Sequence, residues 1–173
     1  MLSPARLGLA AVGVLLVGAT AAADCAPGLV WNATASAPQG LYRLQSGLPL
    51  QSGELVAVRP PPALRLWLDG RGYAPAGVLL VKRVAALAPS TICRQGGRVS
   101  LDGVAIARAE PADRRGRALP IWTGCRRLGA GEVFLLNAAP GSLDGRYFGP
   151  LPRSAVVGRL SPIWLVDGAR HAD

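Results

Sequence analysis

The sequence has very few of the residues on which metal sites and many catalytic sites depend. It contains one lysine, one histidine and three cysteines. These show none of the ligand spacings that structural or catalytic metal sites require, so we expect no metal and no cofactor. The single histidine, His171, is third from the C-terminus, where chains commonly fray, and this position argues against a Ser-His-Asp triad.

Aromatic residues are also scarce, at 5% of the chain, and this affects how the net charge of +9 is interpreted. Nucleic-acid-binding proteins combine a basic patch with a recognisable binding module, whereas these arginines are scattered except for one cluster at residues 114–117. An anionic bilayer or an acidic partner explains the charge equally well. We therefore expect no nucleic acid partner.

The one lysine stands out because every other cationic side chain is one of eighteen arginines. Lys82 lies in an apolar stretch, residues 78–87. Arginine stays protonated in proteins, whereas a desolvated lysine loses its proton readily and can serve as a base. A lysine considered alone is more often a solvated charge on a half-exposed strand, so its role depends on the rest of the chain.

The N-terminus predicts export. Arg6 precedes an uncharged stretch, residues 7–23, which as a helix would cover roughly 25 Å of a hydrocarbon core about 30 Å thick. Three alanines before Asp24 are typical of a cleavage site, so a cleaved signal peptide and an uncleaved anchor both stay open, and we favour the anchor. Residues 1–23 are thus the anchor or signal segment, and residues 24–173 are a single domain outside the cytoplasm.

An exported domain can form disulfides. Cys93 and Cys125 both lie within the predicted folded body, whereas Cys25 lies beside the N-terminal segment. We therefore predict a Cys93–Cys125 disulfide, with Cys25 left over. Closing a loop of this size contributes about 3–4 kcal/mol to stability in the chain-entropy model.

Many prolines and glycines, with few helix-periodic runs, predict a mostly β fold. The predicted strands are residues 41–44, 54–59, 78–87, 132–137 and 155–160, with a hairpin at 99–107 that turns at Asp102-Gly103. Residues 63–68 are expected to form a short helix, and the segment before residue 41 and residues 109–119 are expected to be loops. A further loop, residues 138–150, is dense in turn formers and polar groups, a composition typical of functional loops.

Ser36 is a candidate nucleophile because it lies in a turn of small residues, before Pro38 and Gly40. A serine nucleophile needs a base to accept its proton. With His171 in the C-terminal tail, Lys82 is the remaining candidate. A Ser-Lys dyad requires a neutral amine within hydrogen-bond reach of the hydroxyl, and burial of the amine favours the neutral form.

Three motifs in this order resemble those of bacterial type I signal peptidases, the peptidase S26 family. Residues 36–38 resemble the serine box, and Lys82-Arg83 resembles the lysine box. Residues 142–149 are similar to the late box that contains serine, aspartate and arginine. The longer runs, residues 32–42 and 131–149, look most like the conjugal-transfer branch of TraF-type pilin-processing peptidases.

This resemblance implies a signal-peptidase-like (LexA-like) β fold and a role for each matching residue. Ser36 would attack the scissile carbonyl, with Lys82 as general base, while the Ser36 backbone N–H and the Thr34 hydroxyl stabilise the oxyanion. The supporting residues implied are Ser142, which would orient Lys82, and Asp144 and Arg146, which would pair to hold the site loop. Gly145 departs from the serine usual at that position.

The implied function is a membrane-tethered serine peptidase of the inner membrane with its catalytic domain in the periplasm. Its partner would be a pre-pilin or another exported precursor, and pilin cyclisation is open beside hydrolysis. A general signal peptidase I and a non-enzymatic docking component of a conjugation or secretion apparatus are the alternatives. Apolar side chains such as Trp67 and Trp164 are expected to form a membrane-facing patch.

Overall fold

The computed structural model describes residues 28–166, and strands dominate it. The elements, in chain order, are β1 (Leu29–Asn32), β2 (Gly40–Gln45), β3 (Leu55–Val58), α1 (Pro62–Gly70), β4 (Leu80–Leu87), β5 (Thr91–Gln95), β6 (Arg98–Leu101), β7 (Val104–Arg108), β8 (Gly124–Arg127), β9 (Glu132–Leu136), α2 (Gly145–Phe148), β10 (Leu151–Pro152), a 3₁₀ turn (Arg153–Ala155) and β11 (Val156–Leu165). The expected mostly β fold is confirmed. The predicted anchor or signal segment, Cys25 and His171 lie outside the described residues.

The strands form two antiparallel sheets. The larger has seven strands in the order β1-β2-β11-β3-β4-β9-β10, and the smaller has four in the order β7-β6-β5-β8. The core of the larger sheet is rich in valine, and Val56, Val58, Val84 and Val133 are fully buried. β-branched residues suit a pleated surface, which explains why the valine-rich runs become its central strands.

β4 is the strand that positions the site, and it is an interior strand of the larger sheet. It pairs with β3 on one side and with β9 on the other, and Lys82 faces Val56 across the β3 pairing. The apolar residues of β4 explain why this strand is buried or half-buried at all but one position, as expected from the sequence. Residues 78 and 79, also predicted as strand, precede it.

The predicted hairpin is confirmed as β6 and β7. Its turn residues Asp102 and Gly103 have φ values of 48° and 86°, and a two-residue turn of this type needs both to be positive. Several other segments differ from the prediction. Residues 29–32 form edge strand β1 where a loop was expected, and residues 109 and 119, the ends of the predicted exposed loop, are buried. β11 continues to Leu165 through an irregularity after Pro162, a place where a sheet tolerates proline.

The predicted Cys93–Cys125 disulfide is present, with an S–S distance of 2.07 Å. The two cysteines face each other directly across the β5–β8 pairing. All four residues of β8 are exposed, so this strand has no apolar alternation that the sequence could have shown. The disulfide attaches β8 to β5 covalently.

An exposed aromatic pair lies at one edge of the larger sheet. Trp31 on β1 and Trp164 on β11 stack with ring centroids 5.8 Å apart, and more than half of each side chain is exposed. Trp67 does not belong to this patch, contrary to expectation, because it is half-buried against Tyr73 and Phe148. Within residues 28–166, no helix has both the length and the apolar character needed to cross a bilayer.

Candidate active site

Lys82 is buried in the middle of β4, with only 7% of its surface exposed. Its Nζ donates to the Ser142 hydroxyl at 2.9 Å. Burial lowers the pKa of the Lys82 amine from 10.5 to about 8; the carboxylate of Asp144 opposes this shift, and the guanidinium of Arg146 adds to it. The amine is therefore shielded from solvent and in contact with Ser142.

Ser36 lies in a tight turn that the side chain of Asn32 organises. Asn32 Nδ2 donates to three main-chain oxygens of the turn, those of Thr34 (3.0 Å), Ala37 (3.1 Å) and Pro38 (2.9 Å). Asn32 Oδ1 accepts from the main-chain N–H of Thr34 at 3.2 Å. Asn32 is itself buried at the end of β1, so the turn is fixed to the sheet. This strand was missed in the sequence, yet it holds the candidate nucleophile.

The Ser36 hydroxyl belongs to a chain of hydrogen bonds. Thr34 Oγ1 donates to Asn32 Oδ1 at 2.9 Å and lies 3.2 Å from Ser36 Oγ. Because the Thr34 hydroxyl has one proton, already given to Asn32, Ser36 is the donor in the second bond. Asn137 Nδ2 then approaches Ser36 Oγ at 3.4 Å. Across residues 28–166 no hydrogen bond joins Ser36 Oγ directly to Lys82 Nζ, so in this state the two groups are linked through their neighbours.

Asn137, the first residue after β9, was not singled out in the sequence, but it connects most parts of the site. Its side chain extends the pairing with β4 on both sides of Lys82: Nδ2 donates to Val81 O at 3.0 Å, and Oδ1 accepts from Arg83 N at 3.0 Å. Its main-chain N–H donates to Asp144 Oδ2 at 3.0 Å. A polar residue that ends an apolar strand just before a loop of turn formers is the signal that could have pointed to it.

Asp144 and Arg146 form a fully buried ion pair. Arg146 Nε donates to Asp144 Oδ1 at 2.9 Å and Nη2 donates to Oδ2 at 3.2 Å, a two-point arrangement that fixes both groups. Arg146 also donates to the main-chain oxygens of Asn137 (2.6 Å) and Pro140 (2.9 Å). The pair therefore closes the loop 138–143, and Asp144 caps α2 by accepting from the Arg146 N–H.

Gly145, the departure from the family pattern, has a packing reason. A Cβ at this position would lie 2.6 Å from Phe134 Cε2 and 2.7 Å from Leu135 O. Only glycine lets α2 lie this close to β9 without a shift of one of them. The short helix thus brings Asp144 and Arg146 against the strand that precedes the loop.

Arg94 supports the site from the smaller sheet, and sequence reasoning missed it. It is buried, and its Nη1 donates to Arg146 O at 2.6 Å and to Pro120 O at 3.2 Å. Burial lowers the pKa of Arg94, yet an arginine keeps its charge in proteins. Its only sequence signal was its position next to Cys93.

A cleft of about 650 Å³ opens beside these residues. Ser36 and Ser142 line it together with residues of the segment 110–119, Tyr73 and Tyr147. Such a cleft has room for several residues of an extended peptide next to the Ser36 hydroxyl. No group of side chains able to hold a metal ion occurs in the part of the chain that the structure describes.

The family model described as "Signal peptidase, peptidase S26" matches residues 2–165. The chain therefore belongs to the S26 signal peptidase family. The resemblance drawn from its three motifs is thereby confirmed.

Within this family the chain is similar to proteins named for conjugal transfer. It is 34% identical to the conjugal transfer protein TraF of Agrobacterium fabrum (strain C58 / ATCC 33970), over 92% of this chain and 94% of that protein. It is also 34% identical to a plasmid transfer protein TraF of Escherichia coli, over 88% of this chain and 94% of that protein. A signal peptidase I crystal structure from Enterococcus faecalis V583 aligns with a TM-score of 0.39 and 19% identity, over 68% of this chain and 100% of that one.

Proposed function

We propose that the chain is a serine endopeptidase in which Ser36 is the nucleophile and Lys82 is the general base. The observation that carries this proposal is the buried Lys82 amine, held 2.9 Å from Ser142 with a pKa of about 8. At pH 7 roughly one-tenth of such amines are neutral, whereas an unperturbed lysine is neutral in less than about one molecule in a thousand. The burial therefore supplies a base in a domain whose described residues, 28–166, include no histidine.

The chemistry begins when the Ser36 hydroxyl leaves Thr34 and gives its proton to the neutral Lys82 amine. Ser36 Oγ forms a bond to the scissile carbonyl carbon, and the carbonyl oxygen becomes an oxyanion. As the tetrahedral intermediate collapses, the C–N bond breaks and the Lys82 ammonium returns the proton to the leaving amine. An ester between Ser36 and the substrate remains, and the Lys82 amine is again neutral.

A second nucleophile then releases the acyl group. Water yields a shorter linear product, whereas an amine of the substrate itself yields a cyclic one, and the same ester serves both outcomes. The Ser36 main-chain N–H and the Thr34 hydroxyl are the proposed oxyanion donors. Because the Thr34 proton is directed to Asn32 Oδ1 at rest, this hydroxyl must rotate to serve.

We assign the substrate and location from the family. Because the relatives are named for conjugal and plasmid transfer, the proposed substrate is a pre-pilin or another exported precursor. The proposed location is the inner membrane, with the domain in the periplasm. The exposed stack of Trp31 on Trp164, with Leu29 and Ile163 also exposed, supports membrane contact, because tryptophan favours the membrane–water interface.

The test is processing of a co-expressed candidate pre-pilin, followed by mass spectrometry. Ser36→Ala and Lys82→Arg should each abolish processing while the protein stays folded, and Arg83→Lys, at the exposed neighbouring position, serves as the control. Full activity of Lys82→Arg would refute the dyad, since arginine supplies no free base. A cyclic product is lighter than the linear one by a water, so the same spectrum separates the two outcomes.

The same experiment decides between the alternatives. A general signal peptidase I would process many unrelated precursors, whereas a dedicated enzyme would process one. A docking component would process none and would bind its partner equally well with Ser36→Ala. A docking surface has no need of a buried amine, which is why we place the peptidase first.

A further inference from the structure

The lining of the cleft that contains Ser36 includes the one tight cluster of arginines in the sequence. Arg114, Arg115 and Arg117 all line the cleft that also contains Ser36 and Ser142. A peptide that reaches Ser36 through this cleft must therefore pass these cations. Whether they attract the peptide depends on which of them are already neutralised.

Arg117 is used by the fold. Its Nη2 lies 2.7 Å from Asp113 Oδ2, and its Nε donates to the same oxygen at 2.8 Å. The Tyr73 hydroxyl also donates to Asp113 Oδ2, at 2.5 Å, and this bond, aided by Arg117, holds the pKa of the Asp113 carboxyl below its ordinary range. Asp113 and Arg117 thus neutralise each other, so neither has an unpaired charge for binding a ligand.

Arg114 and Arg115 are different, because both are exposed and neither has a carboxylate within ion-pair distance among residues 28–166. The guanidinium of Arg114 lies 3.9 Å from the position of a Cβ at Gly141, the residue before Ser142. The other acid of the cleft, Glu110, is exposed and lies 4.0 Å from Arg108. The cleft therefore has an excess of positive charge next to the site loop.

We propose that Arg114 and Arg115 bind a carboxylate of the substrate within a few residues of the scissile bond. This inference rests on the proposed function, because it takes Ser36 as the point of cleavage. Guanidinium groups match the planar geometry of a carboxylate and keep their charge at every physiological pH. An acidic side chain and the free C-terminus of the substrate present the same group, and the cleft accepts either.

The expected selectivity is moderate. Ion pairs exposed to solvent are weak and are screened by salt, so we expect each arginine to contribute roughly two- to five-fold to kcat/KM, and the two together about ten-fold. The preference should fall as ionic strength rises. A selectivity based on the shape of an apolar pocket would not respond to salt in this way.

The test uses four synthetic peptides with alanine at the cleavage position. They carry either glutamate or glutamine three residues after the scissile bond, and each ends in either a free carboxylate or an amide. The enzymes are the wild type, the double variant Arg114→Gln/Arg115→Gln, and the control Arg98→Gln/Arg153→Gln, which removes two exposed arginines that do not line the cleft. Cleavage is measured as kcat/KM, and peptide binding is measured by anisotropy on Ser36→Ala.

We expect the wild type and the control to prefer one of the carboxylate-bearing peptides about ten-fold, and the double variant to lose that preference. Loss of preference on amidation identifies the C-terminus as the ligand, and loss on replacing glutamate by glutamine identifies the side chain. Equal selectivity of the double variant and the wild type, or none in the wild type, would overturn the inference. Arginine-dependent binding without cleavage would reject the proposed function alone, whereas cleavage without charge preference would reject this inference alone.

Discussion

The side-chain amide of Asn137 connects Ser36 to the strand that carries Lys82, since its Nδ2 lies 3.4 Å from Ser36 Oγ and 3.0 Å from Val81 O. Its Oδ1 accepts from the Arg83 N–H on the other side of Lys82. The nucleophile and the base are therefore positioned by one residue that performs no proton transfer itself. Moving either group relative to the other requires that this amide lose a bond.

Asn137→Asp tests this positioning role, because aspartate keeps the shape and the acceptor for Arg83 but replaces the donor that faces Ser36 and Val81 by an oxygen. We expect kcat to fall about 10- to 100-fold with a smaller change in KM, since a 1 Å misplacement of reacting groups is this costly. The added carboxylate also favours the Lys82 ammonium, so the acidic limb of the pH–rate profile should move to higher pH.

The measurement is a full pH profile of kcat and KM for the variant, together with its thermal unfolding. A purely structural role would lower the unfolding temperature and leave kcat unchanged at alkaline pH, where Lys82 is neutral in both proteins. Unchanged kcat in a folded Asn137→Asp protein would show that the contact with Ser36 has no part in catalysis.

The second prediction concerns the pH dependence of the wild type. Lys82 must be neutral to accept the Ser36 proton, and its pKa is lowered by burial to about 8. The neutral fraction then rises from about one in a hundred at pH 6 to about half at pH 8, so kcat/KM should increase roughly 50-fold over this interval and level off above it. An initial-rate series from pH 5 to pH 10 measures this directly, and a rate that is flat between pH 6 and pH 8 would exclude Lys82 as the titrating base.

The third prediction is that Lys82 destabilises the fold. The pKa of the Lys82 amine is about 8 in the folded protein and 10.5 for an ordinary lysine, the value we take for the unfolded chain. Between pH 8 and pH 10.5 the unfolded chain therefore binds more protons than the folded protein. The free energy of unfolding therefore rises with pH through this window, and below pH 8 the buried ammonium imposes its full penalty, on the order of 3 kcal/mol. Lys82→Met should raise the free energy of unfolding at pH 7 and lose most of this advantage by pH 10.5.

Arg83→Met is the matched control, since it removes a cation from an exposed side chain at the next position. Such surface changes alter stability by about 0.5 kcal/mol or less. Urea unfolding of both variants at pH 7 and pH 10 gives the comparison. A Lys82→Met protein less stable than the wild type at pH 7 would mean that the bond to Ser142 outweighs the burial penalty.

The parts of the molecule that the sequence predicts well are those governed by local pattern. Apolar runs indicated β4 and β9, a two-residue turn signal indicated the β6–β7 hairpin, and three motifs pointed to the residues of the candidate site. Lys82 and Ser142 are 60 residues apart in sequence, yet their side chains lie 2.9 Å apart. Their proximity was inferable only from the resemblance to a known family.

The parts that the sequence did not show depend on single long-range hydrogen bonds. Asn137 and Arg94 look like an ordinary strand end and an ordinary basic residue, because nothing local indicates that their partners are Ser36, 101 residues away, and the carbonyl of Arg146, 52 residues away. β8 has four exposed residues, so no apolar periodicity marks it. Such polar contacts become visible only once strands that are distant in sequence are placed together in the fold.

The solitary lysine gives this protein an unusually simple spectrum. Lysine labelled with ¹³C at the ε carbon would produce a single side-chain resonance, and that resonance belongs to Lys82. Because this amine is also buried, its chemical shift would follow the protonation of one group with no assignment and no overlap. Occupancy of the cleft, rotation of the Ser36 hydroxyl and formation of the ester could then be followed in solution through one NMR line.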